Sequence, residues 1–241
     1  MGKVICLWAS PRNISTALMY SFSQRSNTKV IDEPFYAYYL SHINPDINHP
    51  GKKEILNSQP NDFNRILQKI DNEYVHKVLF IKNMTHHLNG IPLSFAYNWI
   101  NIILTRNPIK SINSFSKVIK NPTQNDIGYK LQYEAALQFK KLKANFYILD
   151  ADKLLSNPKL ELKKLCNFCS INFDDKMLKW PQGGIKEDGI WAKYWYKSVH
   201  ASTSFKSSNK DNSVMIEKSL YPLLKECNIF YDKLIKMREK N

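Results

Sequence analysis

Two segments carry residues whose types and spacing suit the binding of anions. In the first, Ser10-Pro11-Arg12-Asn13-Ile14-Ser15-Thr16 follows the apolar run Val4–Ala9 and leads into Ala17-Leu18-Met19-Tyr20. A helix that starts at the carboxyl end of a strand points free N–H groups at whatever lies there, so this turn is a candidate phosphate site. Arg12 adds a positive charge, and Ser15 and Thr16 bring hydroxyls that either cap the helix or donate to phosphate oxygens. The glycines and the lysine of a GxxxxGK[ST] loop are absent, so the turn departs from that of ATP-dependent enzymes. In the second segment Asn101–Thr105 ends in Arg106-Asn107-Pro108, and Ser114 follows Arg106 by eight residues. A strand-end arginine and a hydroxyl two helical turns later can converge on one phosphate monoester.

A diphosphate-like group at the first segment and a monophosphate at the second is the charge layout of 3′-phosphoadenosine 5′-phosphosulfate (PAPS). Transfer of its sulfuryl group would need in-line placement and charge stabilisation. Arg12 is the first candidate for stabilising charge on the leaving oxygen, and Lys82, after the run Val78–Ile81, is the second. An acceptor must also lose a proton, and Glu33 in Asp32-Glu33-Pro34-Phe35-Tyr36 and His87 are the candidate bases. Paired with Arg12 or a lysine, Glu33 would instead be an ordinary strand-end carboxylate. His86 and His87 are adjacent, and neighbouring side chains in an extended segment point apart, so no metal site is expected there. Phe35, Tyr36, Tyr38, Tyr39 and the aromatics of Trp191–Tyr196 would line an acceptor pocket, unless they serve packing alone.

These residues need strands and helices to position them. Val4–Ala9, Lys29–Ile31, Val78–Ile81, Asn101–Thr105 and Phe146–Leu149 are short β-rich runs. They alternate with helical patterns at Ser15–Ser26, Asp62–Tyr74, Pro108–Ile119 and Asn125–Leu142, the signature of a three-layer α/β/α domain around a parallel sheet. From Asp150 onward short helices follow, Leu160–Cys169, Asp174–Trp180 and Ser213–Lys240, read as a C-terminal helical cap on one domain over 1–241. Ser202–Asp211 has Phe205 as its only apolar residue and is expected to be a loop.

The 35 Lys and Arg against 21 Asp and Glu leave a formal charge of +14, which suits anionic partners or solubility. No run of five like charges and no RNA-binding signature occurs, so nucleic acid is not an expected partner. The four cysteines are too few and too scattered for a disulfide framework, and the Cys166/Cys169 pair is read as packing. No apolar stretch is long enough to span a membrane, and a soluble, cytoplasmic protein is expected.

With these residues in view, the chain resembles the PAPS-dependent sulfotransferase superfamily. Ser10–Ala17 looks like its 5′-phosphosulfate loop, although the family commonly has glycine where this chain has Ile14. Thr105 to Ser114 is similar to its 3′-phosphate segment. Ile148–Leu155, Asn157-Pro158 and Leu162–Cys166 look like its strand, acidic turn and following helix. Trp191, Trp195, Val199 and Ser202–Phe205 resemble the late segment of bacterial members, whose loop closes over the nucleotide. The resemblance implies PAPS as cosubstrate, no metal, and the hydroxyl or amine of a small-molecule or carbohydrate acceptor. It implies nucleotide contacts at Arg12, Asn13, Ile14, Ser15, Thr16, Ala17, Arg106, Ser114, Thr203, Ser204 and Phe205. The Glu-Pro pair resembles members that use glutamate as base, and His87 falls near the histidine of the cytosolic enzymes. Two rivals remain: a kinase-like enzyme using ATP, and a non-catalytic nucleotide or anion binder.

Overall fold

The computed structural model describes residues 2–73, 78–206 and 216–239. Its five strands are β1 (Lys3–Ala9), β2 (Thr28–Asp32), β3 (Val78–Met84), β4 (Ile100–Thr105) and β5 (Phe146–Asp150). They form one parallel sheet in the order β2-β3-β1-β4-β5. Strand β1 is therefore central and buried on both faces, as its nearly unbroken apolar sequence requires. Ile5, Leu7 and Ala9 face one layer with Leu18 and Phe22, while Val4, Cys6 and Trp8 face the other with Ile66 and Phe139.

The main helices are α1 (Ser15–Ser23), α2 (Phe63–Glu73), α3 (Pro108–Phe115), α4 (Tyr129–Leu142), α5 (Pro158–Phe168) and α6 (Tyr221–Arg238). Helices α1 and α5 pack on the first face, and α2 and α4 on the second. Helix α6 lies beside α4 and β5 in the outer layer. The stretch that covers the carboxyl ends of the strands comes earlier, between Trp180 and Phe205, with short helices at Ala192–Trp195 and Lys197–His200.

Several elements differ from the sequence reading, including the expected helix Ser213–Lys240, which among the described residues becomes α-helical only at Tyr221, after a 3-10 turn at Lys218–Leu220. Strand β3 runs on through Lys82, Asn83 and Met84: Lys82 and Asn83 are wholly buried, Lys82 donating to Asp32 and the Asn83 amide to Cys6 Sγ. The expected helix Asn125–Leu142 breaks at Gly128, whose φ of 77° ends the turn Gln124–Ile127 before α4 begins. The stretch Asp174–Trp180 contains only a 3-10 turn at Asp175–Leu178, and Lys179 then bridges Ser204. Tyr74, residues 207–211 of the expected loop, and 213–215 and 240 of the last expected helix lie outside the described residues.

The four cysteines are free and buried, and burial pushes the Cys166 and Cys169 thiols up to about 11 and about 12, consistent with packing. Among the described residues no helix is long and apolar enough to cross a membrane. Buried Asn101 on β4 ties β1 to the turn before β4 within the second face: its Oδ1 accepts from Trp8 Nε1 at 2.9 Å and its amide donates to the Ala96 and Trp99 carbonyls at 3.0 Å. Replacing Asn101 with Ala strands the indole N–H and two carbonyls. The expected loss is about 3 kcal/mol of unfolding free energy, read from the urea midpoint at unchanged m-value.

Candidate active site

The turn after β1 places Arg12 at φ 62° and Ile14 at φ 65°, both left-handed. For a β-branched residue this conformation is rare and costs on the order of 1–3 kcal/mol, so the surroundings must enforce it. Asn13 donates its amide to the Leu104 carbonyl, and Arg106 Nη1 donates to the Arg12 carbonyl at 2.9 Å. Arg12 Nε donates to Ser114 Oγ at 3.0 Å, and Nη1 reaches the Trp195 carbonyl at 3.4 Å. The loop is thus strapped to β4 and α3 and takes, without glycine, a shape that glycine would adopt freely. Ile14 caps α1 with its backbone alone. Ser15 and Thr16 do not cap the helix; their side chains line the cavity in front of it. Left-handed residues next to a helix start turn successive amides toward one point, an anion-binding arrangement.

That cavity has a volume of about 330 Å³. It gathers Arg12, Ile14, Ser15, Thr16, Ala17, Glu33, His87, Arg106 and Ser114 from the residues singled out in the sequence. Arg106 lies 3.7 Å from Asp152 Oδ1 through Nε, beyond hydrogen-bond reach, while Lys110 holds the same oxygen at 2.9 Å. Tyr129 Oη donates to the Arg106 carbonyl at 2.7 Å, so the break at Gly128 brings α4 to bear on the strand end. Burial and the neighbouring Arg106 lower the Arg12 pKa, though a guanidinium stays charged at neutral pH.

Beneath the cavity lies a buried ionic cluster. Lys82 Nζ donates to Asp32 Oδ1 at 2.9 Å, to Glu33 Oε1, and to Tyr196 Oη at 2.5 Å, which uses all three of its protons. Tyr196 Oη also accepts from Trp191 Nε1 at 3.0 Å and donates to Asp32 at 2.8 Å, and Asp32 Oδ2 accepts from the Gly189 amide at 3.0 Å. Burial works against the Lys82 ammonium, but Asp32 and Glu33 outweigh it and raise the pKa. Burial raises the Glu33 pKa, with Asp32 adding to the rise and Lys82 opposing it. Glu33 itself adopts φ 41°, and this left-handed turn at the end of β2 directs its carboxylate inward.

Glu33 Oε2 faces His87 Nε2 at 3.8 Å. The His87 ring stacks on Tyr36 and Tyr39, with centroids 4.6 and 4.8 Å away. Burial, then His86, His49 and Lys82, hold its pKa well below 6.5. Burial pushes His86 down to about 3. Both imidazoles are therefore neutral at physiological pH.

Not every expected residue reaches the cavity. Lys82 does not line it, and its three protons are taken by Asp32, Glu33 and Tyr196. Asn13 is wholly buried and its amide is taken by the Leu104 carbonyl of β4. Thr203, Ser204 and Phe205 turn away: the Thr203 carbonyl accepts from the Trp180 amide, Ser204 bridges Lys179, and Phe205 packs edge-on against Trp180. Ser198, Val199 and Ser202 line the wall in their place. Tyr36, Tyr39, Trp195 and Tyr196 also line it, whereas Phe35 and Tyr38 pack on Phe63 and Trp191 is buried behind Tyr36. Sequence reasoning did not single out Asp32, His49 or Asp126. Asp32 stands beside Glu33 at the strand end and was open to notice; His49 and Asp126 carry no local signal.

The chain belongs to the sulfotransferase family: residues 3–238 match the family described as Sulfotransferase domain. It is 36% identical over 210 residues to the Arabidopsis thaliana "Branched-chain-amino-acid aminotransferase-like protein 1", covering 86% of this chain and 37% of that protein. Protein 2 of the same name and organism is 34% identical over 233 residues, covering 95% of this chain and 41% of that protein. The chain thus spans about two fifths of these curated relatives. The solved "Sulfotransferase Domain from the Curacin Biosynthetic Pathway" shares the fold, with a TM-score of 0.55 at 17% identity over 97% of this chain and 98% of that one.

Two outcomes follow from the buried charges. Lys82→Met leaves two carboxylates without their cation and is expected to cost about 3–5 kcal/mol, read by chemical denaturation at pH 7. For His86 the folded-state pKa of about 3 lies below the ordinary 6.5. Its contribution to stability is therefore complete above pH 6.5 and is lost as pH falls from 6.5 toward 3. A His86→Phe variant is expected to lose stability less steeply than wild type over that window; superimposed profiles would contradict the assignment.

Proposed function

We propose that the protein transfers a sulfuryl group from PAPS to the hydroxyl or amine of a small-molecule or carbohydrate acceptor, with Glu33 as general base. One observation carries this reading: a single cavity gathers Arg12, Arg106, Ser114 and the start of α1 with the carboxylate of Glu33. The chain's polar groups fit such a donor, since Ser10 Oγ, Thr105 Oγ1 and Arg106 Nε are buried around the loop without hydrogen-bond partners. PAPS, when bound, supplies the activated sulfuryl group.

Arg12 and the amides of Ser15, Thr16 and Ala17 would hold the 5′-phosphosulfate and stabilise the charge that grows on the bridging oxygen as its bond to sulfur breaks. Arg106 and the Ser114 hydroxyl, which accepts from Arg12 and keeps its own proton to donate, would hold the 3′-phosphate. Glu33 takes the acceptor's proton as the acceptor attacks sulfur. Its raised pKa makes it a stronger base than an exposed carboxylate, whereas His87, held neutral far below 6.5, is a poor one. His87 instead packs beside Glu33 Oε2, and Lys82 fixes Oε1, so the two act through the base. Tyr36, Tyr39 and Trp195 offer ring faces to an acceptor.

Thermal shift with 3′-phosphoadenosine 5′-phosphate (PAP) against ATP with Mg²⁺ tests the donor: PAP is expected to raise the melting temperature, and stabilisation by ATP alone or by neither would overturn the reading. For the base, Glu33→Gln is expected to lower kcat about 10²–10⁴-fold while PAP binding persists. Because Glu33 acts deprotonated, wild-type kcat should fall toward acid with a midpoint above 4.5. Full turnover in Glu33→Gln would remove Glu33 from this role.

A further inference from the structure

The wall of the cavity formed by Trp195, Tyr196, Ser198, Val199 and Ser202 belongs to the stretch between Trp180 and Phe205, whereas the anion loop belongs to β1 and α1. One buried carboxylate joins the two. Asp188 Oδ2 accepts from Tyr20 Oη at 2.5 Å and from the Ile185 amide at 3.3 Å, and lies 3.0 Å from His200 Nε2. Tyr20 is wholly buried in α1, five residues after Ser15. Burial, then the contact with Asp188, raises the phenol's pKa, so Tyr20 keeps its proton and is the donor. His200 ends the short helix that carries Ser198 and Val199, and its backbone bonds to Tyr196 on one side and Gly183 on the other.

The surroundings are shaped to this junction. A Cβ on Gly184 would stand 2.9 Å from Asp188 Oδ2 and 3.5 Å from His200 Nε2, so any larger side chain there would push on this junction. Asp188 Oδ1 is buried without a hydrogen-bond partner, a cost that a site kept only for packing would avoid with an apolar side chain. Asp188 does not line the cavity, so whatever it contributes passes through Tyr20 and His200.

We propose that Asp188 is a positioning residue that latches the cavity wall to the phosphate helix, so that nucleotide held at the start of α1 meets a wall already in place. The proposal rests on the reading of this cavity as the donor site. With the latch intact, the wall also presents the Trp195 carbonyl to Arg12 Nη1, which helps to aim the guanidinium. Without it, the wall must be ordered at the moment of binding, and affinity falls by that cost.

Calorimetric titration with PAP tests this in the wild type, Asp188→Asn and Tyr20→Phe, each well below its melting temperature. Tyr20→Phe keeps the ring in the core and removes only the link to α1, so it carries the test if Asp188→Asn does not fold. PAP dissociation constants are expected to rise about 10-fold in Asp188→Asn and about 3-fold or more in Tyr20→Phe, as loss of hydrogen bonds to a charged group would give. A purely structural role would lower the melting temperature and leave the dissociation constant of the folded variants unchanged, and that result overturns the latch alone. A wild type that does not bind PAP overturns the donor reading instead, and the latch with it.

Discussion

The arrangement depends on one buried ammonium. Lys82 Nζ is the meeting point of Asp32 and Glu33 from the end of β2, of its own strand β3, and of Tyr196 from the wall 114 residues away. A cation in such a place pays a large desolvation penalty, repaid only because every proton has an oxygen partner and two carboxyl groups lie against it. Three parts of the chain that share no local sequence are thereby held at one point. Glu33 is left with one oxygen fixed by Lys82 and the other facing His87 and the cavity. An apolar residue at position 82 would fill the space without aiming the carboxylate.

The anion loop follows a comparable logic by other means. Glycine is the usual way to reach left-handed backbone, because it has no Cβ to clash. Here Arg12 and Ile14 are held there by bonds that Asn13 and Arg106 donate and one that Ser114 accepts from Arg12, and Arg106 and Ser114 also line the cavity. The strain is held by the same groups that would bind phosphate, so the loop and the Arg106 segment behave as one unit rather than as two independent sites. Arg12 and Arg106 are two of the 35 Lys and Arg, and their placement after β1 and β4, not the total charge, marks the candidate anion site.

The sheet was legible because each strand is a short β-rich apolar run separated by helical periodicity, the pattern of a sheet covered on both faces. Boundaries failed where function intrudes. Lys82 and Asn83 look like the end of a strand only until they are seen to be buried and paired, and Gly128 breaks a helix whose apolar spacing continues through it. In the site, Arg12, Arg106, Ser114 and Glu33 were readable because strand ends and first helical turns converge by geometry. Tyr196 was placed among acceptor aromatics, but its bond to Asp32 and Lys82 spans too much sequence to be read from pattern. Thr203 to Phe205 do not line the cavity, whereas Ser198, Val199 and Ser202 do, since likeness of a segment does not fix which side chains turn inward.

In the proposed reading the two arginines flank a nucleotide carrying a separate 3′-phosphate. The most direct measurement is the calorimetric affinity of the protein for PAP beside adenosine 5′-monophosphate, in the wild type and in Arg106→Ala. Wild type is expected to bind PAP at least about 10-fold more tightly, as charge-assisted bonds to one phosphate would give, and Arg106→Ala to lose most of the difference. Equal affinity of the wild type for the two nucleotides would contradict it.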